Sequence, residues 1–234
     1  MPFNLDTINP NQKKYSLKNV SLFFLCLVFI FSSSACHKTL KKNNMLWDSH
    51  SDGTKRRRLV ADAYQLKRSR SYQFEDASFS HDCSGYIASI LHRNGLLTKK
   101  YARIQNVKGN GVSILYQFIE KNGFILDKDQ FPKMGDLIFF SDTYDRNGDG
   151  KLNDPLSHVG IVESISNDGQ VTFLHHINGR VRKSYLNSGF ENQHKDSNKS
   201  ILNSYLRRRR SSDPNNTQYL AAQLVHSYGS LILK

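Results

Sequence analysis

The stretch HDCSGYI, residues 81–87, sets a cysteine between an acid and a Ser-Gly pair. Directly after it Tyr86, Ile87, Ile90 and Leu91 recur at the spacing of one helix face, and Asn94-Gly95 is a stop signal. Cys83 therefore falls on the first turn of an expected helix, where the thiolate form is favoured over an ordinary thiol. Asp82 or Ser84 can cap that turn. Gly85 is read as leaving room for a substrate backbone.

Working outward, residues 55–68 carry Leu59, Val60, Ala63, Tyr64 and Leu66 on or near one helical face, and residues 112–121 suggest another helix closed by Asn122-Gly123. Between the first helix and Cys83, SRSYQFEDASFSHD reads as a polar loop. Beyond residue 123 the period changes. DLIFF (136–140), HVGIVESI (158–165) and QVTFLHHI (170–177) read as strands, with turns at Asn167-Asp168-Gly169 and Asn178-Gly179 before RVRKSYL. Helices first and an antiparallel meander after make an α+β order. Residues 188–214 are polar and carry Arg207 to Arg210; the apolar end of the chain is expected to pack back on the core.

The N-terminus reads as a targeting segment. Lys13, Lys14 and Lys18 precede an uncharged run over residues 20–31, too short to span a bilayer and right for a secretory signal. Ser32, Ser33, Ser34 and Ala35 follow, then Cys36. The order resembles a bacterial lipoprotein signal, with Cys36 as the lipidated residue; it departs at Ser33, where that pattern prefers Leu. The expected layout is a signal peptide over 1–35, a tether over 36–54 and a hydrolase domain over 55–234, its core about 72–186. Cleavage before Cys36 would remove three of 33 Lys/Arg and one of 20 Asp/Glu, leaving a net charge of +11. Cys83 would then be the one unmodified cysteine of three, with no disulfide partner, which marks it as a candidate nucleophile.

A thiol nucleophile needs a base from elsewhere in the chain. His158, His175 and His176 are the candidates. If their strands pair across the 167–169 turn, only one of His175 and His176 can share a face with His158. The blocks DCSGYI, GDLIFF, HVGIV and FLHH, in this order, resemble the NlpC-type papain-like cell-wall peptidases over roughly residues 72–177. That resemblance implies Cys83 as nucleophile, His158 as general base, His175 as the orienting residue and Tyr72 as an oxyanion donor beside the Cys83 main-chain N–H. It implies a papain-like fold with the nucleophile at a helix start packed on an antiparallel sheet. It also implies an amide bond in peptidoglycan stem peptides as substrate, with no cofactor for catalysis. Two features depart from the family: Gln73-Phe74-Glu75-Asp76 replaces a Gly-Gly pair, and an insertion separates Phe140 from His158. Within the insertion Asp145, Asn147 and Asp149 follow the start of a calcium loop, to which the Lys151 carbonyl and Asp154 could add. Leu156 stands where an EF-hand needs Glu, so any calcium would be structural.

The net charge of +13 invites a nucleic-acid reading, which an exported chain makes improbable. Anionic lipid or wall polymer suits the basic runs 55–58 and 207–210 better, and solvated basic faces suit them best. The expectation is an exported, monomeric, periplasm-facing envelope lipoprotein with cysteine peptidase activity on the wall. The alternatives are an amidase of the related CHAP group, an acyltransferase on the same scaffold, or a non-catalytic wall-binding lipoprotein.

Overall fold

The computed structural model describes residues 52–97 and 111–232. The signal peptide, Cys36 and all but the last residues of the tether lie outside the described residues. Among these residues no helix is long and apolar enough to cross a membrane.

Helix α1 (Asp52–Leu66) buries Leu59, Ala63 and Leu66, one stripe at helical spacing. It starts three residues earlier than the periodicity suggested, inside the expected tether. Arg56, assigned from sequence to a solvated basic run, is instead buried. It donates to Asp136 at 2.6 Å, to the Met134 carbonyl at 2.9 Å and to the Ser230 hydroxyl at 3.2 Å. The ion pair is satisfied because it is also hydrogen-bonded, the condition for keeping a charge pair inside.

The polar stretch after α1 is more than a loop. Strands β1 (Tyr72–Gln73) and β2 (Ser78–Phe79) form an antiparallel ladder with Tyr72 opposite Phe79. Where the family motif has Gly-Gly, this chain turns through Phe74–Ala77, closed by Phe74 N to the Ala77 carbonyl at 2.7 Å. The Phe74 ring packs on Phe79 and His92. Two-residue strands leave too few positions for an alternation to be visible in the sequence.

Helix α2 (Cys83–Arg93) is capped by Asp82, whose Oδ1 accepts from Gly85 N at 2.9 Å and from the Ser84 hydroxyl at 2.8 Å. Its residues 84–91 are all buried, because α1 covers one side and the sheet the other. Gly95, with φ +66°, ends it. Helix α3 (Gly111–Asn122) buries Val112, Leu115, Phe118 and Ile119.

Six antiparallel strands form the main sheet, in the order β3-β8-β4-β5-β6-β7. The expected meander is β4 (Leu137–Phe140), β5 (His158–Ile165), β6 (Val171–Ile177) and β7 (Arg180–Leu186). Two edge-side strands extend it: β3 (Phe124–Asp127) and β8 (Val225–Ser230), the latter wedged between β3 and β4. Strands such as LIFF are apolar without alternation because both sheet faces are covered. Helices α1–α3 pack on one face with Val159, Ile161 and Leu174. The other face holds Ile138, Phe140, Val162 and Phe173 under Leu206 and the short helix α4 (Ala221–Leu224). The polar 188–214 stretch thus roofs the second core. Asn203, fully buried, ties it down by accepting from Asn187 N and donating to the carbonyls of Asn187, Phe190 and Gln193.

Candidate active site

The first turn of α2 and the opening residue of β5 meet in a cleft of about 930 Å³. Cys83 and His158 both line it, with His81, His176, Tyr144 and Ser157. The insertion between Phe140 and His158 supplies one wall rather than projecting away. It leaves and returns at one point, with Ser157 N bonded to the Phe140 carbonyl at 2.8 Å and Thr143 N to the Ser157 hydroxyl at 2.9 Å.

His158 does not stand alone. Its Nε2 lies 2.7 Å from His175 Nδ1, and His175 Nε2 lies 2.9 Å from the Ser184 hydroxyl. Register explains the geometry. His158 lies on the same face of β5 as Val162, which pairs with Phe173; His175 and Ser184 share that face on β6 and β7. His176 faces the opposite way, against Tyr72 (ring centroids 6.0 Å apart) and His81 (4.6 Å). Gly160 keeps the histidine pair close: a Cβ there would come within 3.0 Å of the Phe173 ring and 3.3 Å of His175 Cβ. Ser184 is not legible in the sequence, because a serine in a strand carries no signal until pairing places it beside His175.

The relay fixes proton positions. His158 can accept a proton from Cys83 at Nδ1 only if its own proton sits on Nε2, donated to His175 Nδ1. His175 must then carry its proton on Nε2, donated to Ser184. Burial holds His158 down to about 4, the charge of His176 adds to this, and Asp82 opposes it. Burial also holds His175 well below the usual imidazole range. Burial, then the charge of Asp82, pushes the Cys83 thiol up to about 12, against the main-chain N–H groups of Val159, Ser84 and Cys83. Neither charge is favoured alone, so the resting pair is thiol and neutral imidazole. Any attack by this thiol would need its proton to pass to the imidazole as the bond forms.

A stability prediction follows from the same burial. The folded His158 binds its proton less readily than the unfolded chain, whose imidazoles titrate near 6.5. Stability is then present above pH 6.5 and is lost as pH falls toward 4. The loss should reach about 3 kcal/mol from His158 alone. Urea unfolding at pH 7 and pH 4 checks this; His158→Gln should remove about 3 kcal/mol of the difference, the buried His175 keeping its own share, and an unchanged difference would contradict it.

Tyr72 is 1% exposed, and its hydroxyl has no hydrogen-bond partner among the described residues. It does not line the Cys83 cleft; it lines an adjoining smaller cavity with His81 and His176. Gly85 is not open to a substrate. A Cβ there would lie 1.8 Å from the Ser80 carbonyl oxygen, so the glycine lets the β2–α2 connection pass against the helix.

In the insertion, Asp145 accepts from Gly148 N at 2.8 Å and Gly150 N at 3.0 Å. Asn147 accepts from Asp149 N, and Asp149 from Lys151 N. Asp154, 1% exposed, accepts from Arg146 N at 3.1 Å, and its Oδ1 forms an ion pair with Arg146 Nε at 3.8 Å. Among the described residues no three His, Cys, Asp or Glu side chains converge as a metal site.

No curated protein and no solved structure matches the chain significantly. A family model does: residues 72–176, from the Tyr72 strand through α2 to the second histidine of β6, match the CHAP domain, a cysteine/amidase domain of cell-wall hydrolases.

Proposed function

We propose that this protein is a cysteine hydrolase of the peptide part of peptidoglycan, built on a papain-like arrangement of nucleophile helix and histidine-bearing sheet. The observation that carries the reading is the meeting of Cys83 and His158 in one cleft with the His158–His175–Ser184 chain behind them. The CHAP match supports an amidase or peptidase of the wall. The motif order supports cleavage within the stem peptide. The amidase alternative, which cuts sugar from peptide, rests on the CHAP match alone.

The reaction is acyl transfer. Cys83 sulfur bonds to the amide carbonyl carbon as its proton moves to His158 Nδ1. The oxyanion is held by the main-chain N–H groups at the start of α2; the Tyr72 hydroxyl, without a hydrogen-bond partner among the described residues, lines the adjoining cavity rather than the cleft. The C–N bond then breaks and His158 gives its proton to the leaving amine. Water attacks the thioester, its proton goes to His158, and the C–S bond breaks to return the thiol.

The test is digestion of purified peptidoglycan by residues 37–234, with Cys83→Ala beside it, read by fragment masses. Fragments from the unsubstituted protein only, with a free amine inside the stem, are expected. Release of intact stems would identify the amidase instead. No fragments from either protein would overturn the reading.

His175 and Ser184 should act through His158. Ser184→Ala removes one neutral hydrogen bond, about 1 kcal/mol, and should lower kcat about fivefold with KM little changed. Ser184→Thr, which keeps the hydroxyl, should restore most of it. A loss in KM alone would mean that Ser184 serves packing.

For the Asp145–Asp154 loop we propose structural calcium, supported by the order of oxygen residues. A rise in Tm of about 3 °C or more in roughly 10 mM CaCl₂, absent in Asp145→Ala, is expected. No shift would leave the loop as a turn closed by its own N–H groups. The envelope location and lipid anchor are likewise proposals, supported by the signal-like N-terminus. Labelling with radioactive fatty acid, lost in Cys36→Ala, checks them.

A further inference from the structure

We propose that the cleft selects peptides bearing free carboxylates next to the scissile amide, and that Arg208 and Arg210 carry much of that selection. The inference rests on the hydrolase reading for its chemistry and on the charge layout for its substrate.

Three arginines line the Cys83 cleft: Arg146, Arg208 and Arg210. Asp82, the one acid lining it among the described residues, already accepts from Gly85 N and the Ser84 hydroxyl. The adjoining cavity of about 240 Å³ shares His81, His176 and Gly179 with the cleft and adds Lys67, Arg68, Arg70 and Arg180, with no acid in its lining. Cys83 therefore sits beside a basic wall, with a second basic surface just behind His81 and His176. Fields of one sign focused in a cleft raise the local concentration of opposite charge.

The arginine run is held in place rather than loosely solvated. Arg207 is buried, donating to the Asp142 carbonyl at 2.7 Å and pairing with Asp213 at 3.2 Å. Asp213 also accepts from Arg210 N at 2.7 Å, and the Arg209 guanidinium lies 4.9 Å from the Tyr219 ring centroid. With 207 and 209 so engaged, Arg208 and Arg210 line the cleft, and among the described residues neither guanidinium has an ion-pair partner. A guanidinium fork matches a carboxylate in two parallel hydrogen bonds. Both arginines lie beyond residues 72–176, so this selectivity belongs to the segment that roofs the second core rather than to the matched domain.

One arm of the test needs no hydrolysis. Alkylation of Cys83 by iodoacetate and by iodoacetamide is timed by mass spectrometry in the unsubstituted protein and in R208A/R210A. The anion is expected to gain by about tenfold relative to the neutral reagent in the unsubstituted protein at low salt. The ratio should fall toward that of free cysteine in the double variant and in high salt. Arg57→Ala, an exposed site on α1, should leave the ratio unchanged. The second arm compares stem peptides with free and amidated carboxylates: R208A/R210A should raise KM for the free acid at least about fivefold more than for the amide. An alkylation ratio unaltered by the double variant, or a preference for amidated peptide, overturns the proposal. An arginine-dependent alkylation ratio with no peptide cleaved upholds the anionic site and overturns the hydrolase reading instead. Phosphate polymer competing where acidic peptide does not would overturn the choice of carboxylate.

Discussion

Cys83→Ala is expected to lower turnover of peptidoglycan peptides by about 10⁴-fold or more, the scale seen when one member of a nucleophile–base unit is removed. The size follows from the mechanism, because no neighbouring group can replace the sulfur in forming the acyl enzyme. His158→Ala should cost nearly as much, and the double variant little more, since thiol and imidazole act as one unit. Folding should be unaffected: Cys83 stands at the cleft, and Asp82 caps α2 through Gly85 N, not through the thiol. Rates for the single and double variants on one soluble stem peptide, with circular dichroism as the folding control, check this. Near-additive losses would contradict a coupled pair.

Gly85→Ala is expected to be the most damaging single methyl group in the site, and through stability rather than chemistry. The added Cβ would lie 1.8 Å from the Ser80 carbonyl oxygen and 2.7 Å from its carbon, both backbone atoms that cannot rotate away. Either α2 shifts, taking Cys83 with it, or the 80–82 connection unfolds. A loss of about 4 kcal/mol or more is expected, within the exceptional range for one substitution. Urea unfolding measures it directly; Ser84→Ala, which removes only one hydrogen bond to Asp82, should cost about 1 kcal/mol. A Gly85→Ala protein of ordinary stability would mean that the helix start does not need this close approach.

Residue pattern alone determined much of this protein. Helical spacing after Cys83 and around Leu59 and Leu115, and apolar runs at 137–140, 158–165 and 171–177, dictate helices followed by antiparallel strands, because these periods follow from backbone geometry. Strand alternation also separates His175 from His176 once a turn is placed at 167–169, and the structure sets His175 on the His158 face. What the sequence could not decide depends on distant residues arriving at one place. Strand β8 enters between β3 and β4, although residues 141–224 separate it from β4. Arg56 reads as surface charge until Asp136 and Ser230 surround it. Gly85 reads as space for a ligand until Ser80 occupies that space. Ser184 and Arg208 acquire a role only through the partner or cleft that packing brings to them. Local periodicity reports which face of an element is apolar; what covers that face is settled by the folded chain, where burial and pairing are decided together.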